Sequence, residues 1–342
     1  MELTKTGILA TMTYLMPAEW EVHERTWMAW PVASYSANAQ SDMEAAYQAW
    51  ANVANAIVEF EPVTMVVDPQ NLASAQKYLD TRIVISIAQL DDAWMRDIGP
   101  TFVRSANGKI FGVDWVFNGW GGQHWAKWDN DSQIARHILT QIDIPILDSP
   151  MTNEGGGIHV NGVDTVLVTK TVQLDPGRNP EMSIEDVEQE LNRTLGTNKV
   201  VWLERGLTRD YEDFGTRGHV DIVATFCDAN TILFHQQLNP AHPDFEVSRQ
   251  VEKTLEQTSF NLIPVPAPQV IEDEEGFVDY SYINHYVCNG AVILCSFADP
   301  NDEKAKEIMA KAYPGRKIVL VDAREIFARG GGIHCITQQQ PK

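Results

Sequence analysis

The chain has 342 residues, with 26 basic and 47 acidic side chains and a net charge of −21 at pH 7. Hydrophobic residues make up 44% of it and charged residues 21%, a balance that is typical of a folded globular protein and excludes a disordered one. The sequence predicts no nucleic-acid partner, because no basic patch could neutralise phosphates, and the acidic surface favours small cations. Since no apolar run reaches the roughly 18 residues of a membrane helix, no membrane partner is expected either.

Cysteine usage and the N-terminal segment indicate the compartment. Cys227, Cys288, Cys295 and Cys335 follow no metal-ligand spacing, and a chain of this size needs no disulfide framework. The first three lie in apolar strands, where we expect them to be small buried hydrophobes. The opening segment 1–16 has an acid at position 2 and no small-residue cleavage site, so we expect no signal peptide. A cytoplasmic location is therefore the expectation.

The first predicted helix runs from Glu44 to Val58, because apolar residues recur there at the spacing of one helix face. Ser41 and Glu44 have the spacing of a capping box at its start. A short apolar strand, 63–67, follows, and the same helix–strand pairing recurs along the chain. The further helices are predicted at 133–141, from Ser183 onward, at 246–257 and at 302–312, and the strands after them at 144–147, 200–203, 262–265 and 318–321.

After each helix–strand pair comes a polar or glycine-rich segment, usually followed by a predicted hairpin. The hairpin turns have the Asn, Asp and Gly residues that tight turns require. They lie at 107–108, 161–162, 228–230 and 289–290. Strands flank each turn, for example at 220–226 and 231–235. The last polar segment, 330–335, has no hairpin partner after it, and the N-terminal strand 26–30 is predicted to supply that partner and close a ring.

These elements predict five strand–strand–helix–strand units of about 65 residues each, the sequence pattern of a propeller-like repeat. The expected fold class is therefore an α/β propeller. The alternative on pattern alone is a doubly wound α/β sheet with hairpin insertions. No linker or low-complexity stretch interrupts the chain, so residues 1–342 are predicted to form a single domain.

In a ring of such units the polar segments converge on the axis. These segments are 94–97, 153–157, 218–221, 283–286 and 332–335. Together they supply a thiol, an imidazole and three carboxylates. Such a set suits a planar guanidinium, because carboxylates accept its N–H groups in pairs and thiolate is the side chain best able to attack its weakly electrophilic carbon. One imidazole can move the protons. The sequence thus predicts an enzyme for a small cationic guanidine.

Several motifs stand in order along nearly the whole chain. They are Met-Pro-Ala-Glu-Trp at 16–20, Glu-Arg-Thr-Trp at 24–27, Asp-Asp-Ala-Trp-Met-Arg-Asp-Ile-Gly-Pro at 91–100, Phe-Asn-Gly-Trp-Gly-Gly at 117–122, Glu-Gly-Gly-Gly-Ile-His at 154–159, Gly-Arg-Asn-Pro at 177–180, Gly-His-Val-Asp at 218–221 and His-Cys-Ile-Thr-Gln-Gln-Gln at 334–340. In this order they resemble the agmatine deiminase family, related to bacterial peptidylarginine deiminases within the guanidino-modifying (pentein) superfamily. The resemblance implies a fivefold pseudosymmetric α/β propeller, in agreement with the repeat.

The resemblance also implies roles for individual residues. Cys335 resembles the family nucleophile, which forms a covalent amidino (thiouronium) intermediate, and His219 resembles its general acid/base. Asp97 and Asp221 resemble the carboxylates that hold the guanidinium. Glu154 resembles an acid that either orients the imidazole or binds the guanidinium, and the sequence does not separate these roles. The implied chemistry requires no metal and no cofactor.

Other side chains near these motifs are open to two interpretations. Trp94 is assigned to stacking on the cationic plane, with a place in the core as the alternative. His219 and Asp221 are expected on the same face of one strand, since they are two residues apart. A zinc site is disfavoured, because the candidate ligands form no short pair besides these two. Three further histidines are expected to be structural: His159, His285 and His334.

For agmatine, the implied reaction yields N-carbamoylputrescine and ammonia, a step toward putrescine. Cys335 would attack the guanidinium carbon, helped by a thiol pKa that the cation and the imidazolium lower, and His219 would protonate the leaving ammonia and then activate water. The alternatives are a deiminase of free arginine, a guanidino acid or peptidyl-arginine, an amidinotransferase, and a non-catalytic binding protein on this fold. Self-association into a homo-oligomer is left open.

Two positions depart from the family pattern. Arg217 stands where the family usually has Asn or Asp, and Gly332 stands where it usually has Asn. Neither departure removes a catalytic group. An inward Arg217 would suit a substrate with a carboxylate tail, whereas agmatine has a cationic tail. The alternative is that Arg217 faces solvent or pairs with Glu212 or Asp213.

Overall fold

The computed structural model describes residues 14–33, 43–273 and 276–342. Ser41 of the predicted capping box and most of segment 1–16 lie outside these ranges. The strands are β1 Tyr14–Leu15, β2 His23–Ala29, β3 Val63–Val67, β4 Val84–Ile87, β5 Thr101–Ser105, β6 Ile110–Val116, β7 Ile146–Thr152, β8 His159–Val160, β9 Thr165–Thr169, β10 Lys199–Leu203, β11 Ala224–Asp228, β12 Thr231–Gln236, β13 Asn261–Pro266, β14 Glu272–Asp273, β15 Gly276–Phe277, β16 Tyr286–Cys288, β17 Ala291–Ser296, β18 Lys317–Asp322 and β19 Gln338–Pro341.

Helices alternate with these strands, so the fold is mixed α/β as predicted. The helices are α1 Met43–Ile57, α2 Leu72–Tyr78, α3 Met95–Ile98, α4 Gly119–Gly122, α5 Ile134–Gln141, α6 Lys170–Gln173, α7 Ile184–Leu195, α8 Asp244–Leu255, α9 Asn301–Ala312 and α10 Arg324–Phe327. Short 3-10 turns lie at Pro69–Asn71, Asp131–Gln133, Gly155–Gly157, Arg209–Tyr211 and Val220–Ile222. Across the described ranges, no helix combines the length and the hydropathy that crossing a membrane would require.

The same three-strand arrangement recurs in five sheets of the described part of the chain. In each, an antiparallel pair is followed by a helix and by a strand parallel to the second member of the pair. The triplets are β5–β6–β7, β8–β9–β10, β11–β12–β13, β16–β17–β18 and β19–β2–β3. The doubly wound alternative is wrong, because the strands are divided among separate sheets instead of forming one continuous parallel sheet.

The last triplet joins the two ends of the described chain. Strand β19 pairs antiparallel with β2, so that Gln338 lies opposite Trp27. The indole N–H of Trp27 donates to Oε1 of Gln340 across this pair, at 2.9 Å. Strand β2 then pairs in parallel with β3. This pairing confirms the prediction that the N-terminal strand is the partner of the last segment.

Helix α7 shows how local sequence defines an element. The Ser183 side chain accepts from the Asp186 backbone N–H, and the Asp186 carboxylate accepts from the Ser183 backbone N–H, so a capping box begins the helix. Gly196 ends it with a left-handed φ of 72°. Val187 and Leu191 point inward and are completely buried. The helix predicted from Ser183 is thus confirmed, and its apolar face packs with strand residues in a shared core cluster.

One predicted strand is wrong where it matters for the site. The segment 220–226 begins with a 3-10 turn, Val220–Ile222, and its strand starts only at Ala224. The buried carboxylate of Asp210 accepts from the backbone N–H groups of Gly218 and His219, at 2.7 and 3.1 Å. These two N–H groups directly precede the 3-10 turn. His219 and Asp221 therefore do not share a strand face.

Three of the four cysteines are small buried hydrophobes, as the sequence predicted. Cys227, Cys288 and Cys295 are buried in the main hydrophobic cluster, and none of the four cysteines is in a disulfide. Burial raises the pKa of the Cys227 and Cys295 thiols to about 12. Thiols with such a pKa carry little thiolate at neutral pH and are chemically inert there. Cys335, the fourth, lies in the site described next.

Candidate active site

The chemistry-bearing segments occupy the same place in successive triplets, just before the first strand. They are Trp94 and Asp97 before β5, Glu154 before β8, His219 and Asp221 before β11, Asn284 before β16 and Cys335 before β19. All of these side chains are buried. The structure brings all six sequence-predicted residues together and adds Asn284, to which the sequence had assigned no role.

His219 lies between two carboxylates. Its Nε2 donates to Oε2 of Glu154 at 3.3 Å, and its Nδ1 is 3.9 Å from Oδ1 of Asp97. Burial opposes charge on the ring, but Asp97, Glu154 and Asp221 outweigh it and raise the pKa of His219 to about 9. A Cβ at Gly156 would come within 2.4 Å of Nδ1, so only glycine allows this close approach. The ring is therefore an imidazolium at neutral pH.

Glu154 also binds Arg178. The Nε of Arg178 donates to both carboxylate oxygens of Glu154, each at 3.0 Å. Burial alone would raise the pKa of Glu154, but Arg178 and His219 outweigh it and lower the pKa below its ordinary value. Both oxygens of Glu154 thus already contact protein groups. This arrangement favours the orienting role over direct contact with a guanidinium.

Asp97 is oriented by two donors. The indole N–H of Trp120 donates to its Oδ2 at 2.8 Å, and the backbone N–H of Gly156 donates to its Oδ1 at 3.1 Å. Trp120 adopts a left-handed φ of 55°, which is rare for a large side chain and aims its indole at this carboxylate. Burial raises the pKa of Asp97 to about 6, and the nearby Glu154 and Asp221 carboxylates add to the rise.

Asp221 presents one oxygen that is still unpaired. Its Oδ2 accepts from Nδ1 of His334 at 2.8 Å and lies 3.5 Å from Sγ of Cys335. Its Oδ1 is buried and has no hydrogen-bond partner among the residues that the structure describes. Burial would raise the pKa of Asp221, but His334 outweighs it and lowers the pKa below the ordinary value. A buried, charged acceptor without a donor is suited to a cationic ligand.

His334 links this carboxylate to a second one. Its Nε2 donates to Oε1 of Glu19 at 2.8 Å, while Arg96 Nη1 donates to the same oxygen at 3.2 Å. Because both ring nitrogens face carboxylates, the ring is a double donor. Burial and Arg96 oppose its charge, but Glu19 and Asp221 raise its pKa. Expecting His334 to be merely structural missed this contact, although its place beside Cys335 was a signal.

Glu19, His159 and His334 place potential metal-ligand atoms within 4.8 Å of one another. These atoms already have protein partners. His159 Nδ1 accepts from the backbone N–H of Phe226, so its Nε2 donates to Thr225 Oγ1 at 2.6 Å. The guanidinium of Arg96 adds a positive charge beside Glu19. The arrangement is a hydrogen-bond network that a cation could enter only by breaking these contacts.

Cys335 lies among groups that disfavour its anion. Burial, followed by the carboxylates of Asp221 and Asp97, raises the pKa of the thiol well above its ordinary value. The predicted lowering of this pKa therefore does not come from the protein's own charges, because burial and the two carboxylates raise it. A Cβ at Gly331 would come within 2.7 Å of the Trp94 ring and 3.1 Å of Cys335 Sγ, so that ring edge lies beside the thiol.

The structure shows what surrounds Arg217 and Gly332, the two residues that depart from the family pattern. Nη1 of Arg217 pairs with both oxygens of Asp175, at 3.0 and 3.1 Å, instead of with Glu212 or Asp213. The Arg217 side chain is 37% exposed. A Cβ at Gly332 would come within 2.3 Å of Oδ1 of Asn284. The glycine at this position therefore gives Asn284 room beside Cys335.

Comparison with known proteins places the chain in a family. Residues 15–341 match the model of the Porphyromonas-type peptidyl-arginine deiminases. A provisionally named agmatine deiminase of Streptomyces coelicolor is 53% identical over 338 residues, which cover 97% of this chain and 100% of that protein. Its counterpart from Streptomyces avermitilis is 50% identical over 337 residues and covers 96% and 97%.

A solved structure agrees with these relatives. The agmatine deiminase of Enterococcus faecalis catalysing its reaction has a TM-score of 0.90 and 32% identity, and the match covers 98% of this chain and 99% of that one. Fold and site together define a hydrolase that acts on guanidino C–N bonds. Within that class, the chain belongs to the agmatine deiminase family, as similarity over nearly its whole length shows.

Proposed function

We propose that this chain hydrolyses agmatine to N-carbamoylputrescine and ammonia through a covalent intermediate on Cys335. The observation that carries the proposal is the buried contact of the Cys335 thiol with Asp221, whose second oxygen is unpaired among the described residues. The imidazolium of His219 stands between Asp97 and Glu154 in the same site. The agmatine deiminase names of the close relatives support agmatine as the substrate.

Asp97 and Asp221 are the proposed guanidinium acceptors. Carboxylates accept the N–H groups of a guanidinium in a planar, charge-assisted geometry. Trp94 is proposed to stack on the cationic plane, in keeping with its place beside Cys335. The bound cation would offset the two carboxylates that raise the pKa of the thiol. Substrate binding would in this way favour the thiolate.

The reaction then proceeds in two halves. The thiolate of Cys335 attacks the guanidinium carbon, a C–S bond forms, and the C–N bond to ammonia breaks as His219 donates its proton to the leaving nitrogen. His219, now neutral, takes a proton from water, whose oxygen attacks the thiouronium carbon. The C–S bond breaks, the remaining hydroxyl proton of the adduct passes to the released ammonia or to solvent, and the neutral ureido product leaves with the thiolate restored. Glu154 is proposed to orient the imidazole throughout.

The contacts described above concern the guanidinium group of the substrate and say less about its tail. Arg217 would favour a carboxylate tail only if it were free to contact one. Its guanidinium instead pairs with Asp175, so the feature that made arginine or a guanidino acid attractive is engaged elsewhere. This pairing removes the argument for a carboxylate tail, and the names of the relatives then favour agmatine.

We also infer that the five triplets form the fivefold pseudosymmetric α/β propeller, with residues 1–342 as a single domain. The pairing of β19 with β2 supports this, because it joins the two ends of the described chain in one sheet. Four free cysteines support a reducing compartment, and we infer a cytoplasmic location. Assembly into a homo-oligomer stays a prediction.

The test compares agmatine, arginine, 4-guanidinobutyrate and an arginyl peptide as substrates, with ammonia and the ureido product measured for each. We expect turnover of agmatine, and we expect Cys335→Ala to lose at least about a thousand-fold in kcat, because the nucleophile is gone. Acid-quenched wild-type enzyme should carry the mass of an amidino group on Cys335.

The control variant is Cys227→Ala, which removes a buried thiol outside the site and should keep full turnover. Undiminished turnover by Cys335→Ala would contradict the covalent scheme. Preference for 4-guanidinobutyrate or arginine over agmatine would leave the chemistry in place and overturn the proposed substrate. Product formation only in the presence of an amine acceptor would indicate an amidinotransferase instead.

A further inference from the structure

Two buried histidines, His334 and His285, differ in what their rings contact. The ring nitrogens of His334 face Oδ2 of Asp221 and Oε1 of Glu19, each at 2.8 Å. Those of His285 face a backbone oxygen and a tyrosine hydroxyl instead, and burial lowers the pKa of His285 to about 4. Burial also opposes charge on His334, but Glu19 and Asp221 outweigh it and raise its pKa. His334 is therefore an imidazolium because it lies between two carboxylates.

Glu19 is itself fixed by two basic side chains. Its carboxylate accepts from Nη1 of Arg96 at 3.2 Å, and its backbone oxygen accepts from Nε2 of His23 at 2.9 Å. A buried row of alternating charges results, which runs from Arg96 through Glu19 and His334 to Asp221. Since each member lies beside a group of opposite sign, the row keeps its charges without solvent.

This row distinguishes Asp221 from the second proposed guanidinium acceptor, Asp97. The donors to Asp97 are neutral, namely the indole of Trp120 and a backbone N–H, and burial raises its pKa to about 6. Burial would act on Asp221 in the same way, but the charged donor His334 outweighs it and lowers the pKa of Asp221. The contact uses Oδ2, while Oδ1 has no partner among the described residues.

We propose that His334, charged by Glu19, is a positioning residue that holds Asp221 ionised and leaves its Oδ1 to the guanidinium. The inference deepens the proposed function, on which the guanidinium contact rests. His334 acts through Asp221, to which its Nδ1 donates. Without this charged donor, Asp221 would resemble Asp97, a buried carboxylate whose pKa is raised to about 6.

Other ionisable groups also face the His334–Asp221 pair. Besides Glu19, they are Arg96, Asp97, His159, His219, His285 and Cys335. Arg96 and the imidazolium of His219 help to keep Asp221 charged. Asp97 is the member of this set whose pKa is raised to about 6, so it is expected to take up a proton in the acid limb of the wild-type activity.

The experiment compares kcat/KM for agmatine in the wild type and in His334→Gln from about pH 5 to 8. In the wild type, log kcat/KM should fall toward low pH with a slope of about one, because Asp97 alone takes up a proton. Glutamine has no charge, so Asp221 should take up a second proton in the variant and the slope should approach two. Near pH 5 this adds a loss of roughly ten-fold to that of the wild type. A merely structural role would lower kcat/KM equally at every pH.

The matched control is His285→Gln, which changes a buried histidine that faces no carboxylate. Its acid limb should keep the wild-type slope. A second measurement tests the role of Glu19 and does not depend on His334→Gln being folded. In ¹⁵N NMR spectra of histidine-labelled protein, the near-isosteric Glu19→Gln should lose one imidazolium signal at a pH where the wild type keeps it, because the carboxylate that charges His334 is gone.

A wild-type slope for folded His334→Gln would overturn the inference, and so would an unchanged histidine spectrum for Glu19→Gln. The NMR measurement uses no substrate, so it is independent of the proposed function. If the wild type did not hydrolyse agmatine while Glu19→Gln still lost the imidazolium signal, the proposed substrate would fail and the charge that Glu19 places on His334 would stand. The acid limb would then be measured with the guanidine that is turned over.

Discussion

Besides the Cys335 thiol, two residues must hold the right charge for the site to work. Asp97 has a pKa raised to about 6, chiefly by burial, and must be charged to hold a guanidinium. His219 has a pKa raised to about 9, because three carboxylates outweigh its burial, and must be protonated to release ammonia. Both requirements hold together only between these two values.

We therefore predict a bell-shaped pH dependence of kcat/KM for agmatine. The rate should fall below about pH 6 as Asp97 takes up a proton, and above about pH 9 as His219 loses one. Trp120→Phe removes the indole donor that lowers the pKa of Asp97, so it should move the acid limb to higher pH.

Trp115→Phe is the control for this shift. It also removes a buried indole hydrogen bond, in this case to Thr101, without touching Asp97. Its acid limb should coincide with that of the wild type. An acid limb that is unmoved in Trp120→Phe would mean that Asp97 does not determine it.

At the scale of elements, the loop between α6 and α7 provides an arginine that binds the site residue Glu154. Arg178 in this loop binds Glu154 through Nε, Asp175 through Nη1 and the backbone oxygen of Thr216 through Nη2. The Arg178 side chain is completely buried. A charge buried this deeply is stable only while its partners are in place. The loop therefore helps to hold Glu154, and through it His219, in position.

Arg178→Met is expected to lower the free energy of unfolding by about 3–5 kcal/mol, since it removes the buried cation that the Glu154 and Asp175 carboxylates share. Arg217→Met removes an arginine that binds the same Asp175 but is 37% exposed, and should cost less than about 1 kcal/mol. Urea unfolding of the two variants measures both. Equal losses in the free energy of unfolding would show that burial does not determine how much Arg178 stabilises the protein.

For the molecule as a whole, the net charge of −21 creates a field that attracts cations. Agmatine carries two positive charges, so its encounter with the site should be accelerated at low ionic strength. Iodoacetamide is neutral and should not respond to the same field. This difference separates long-range attraction from the chemistry at the thiol.

We predict that kcat/KM for agmatine falls several-fold as ionic strength rises from about 0.01 to 0.3 M, because the Debye length shrinks from about 30 Å to less than 8 Å. The effect should lie in KM, with kcat nearly constant. Alkylation of Cys335 by iodoacetamide over the same range is the control. A salt-independent kcat/KM would show that the global charge does not steer the substrate.

Much of the fold could be predicted because periodicity and turn residues are local signals. Helix 44–58 was confirmed at Met43–Ile57, since its apolar spacing is a property of the segment alone. The strand expected at 220–226 starts only at Ala224, because a 3-10 turn follows directly after the two backbone N–H groups that the Asp210 carboxylate binds. Asp210 is near in sequence, but nothing in the pattern shows that its side chain is turned inward and buried.

By itself, the sequence determined the alternation of strands and helices, the N-terminal strand as the partner of the last segment, and the residues brought together in the site. These follow from short-range patterns and from motifs that each lie within about ten residues. The tertiary structure alone decided that Asn284 reaches Cys335, that His334 joins Asp221 to Glu19, and that Arg217 pairs with Asp175. Such contacts depend on how turns that are distant in sequence pack against one another. A hydrogen bond or ion pair requires a particular distance and angle between two atoms, and local sequence patterns do not specify these.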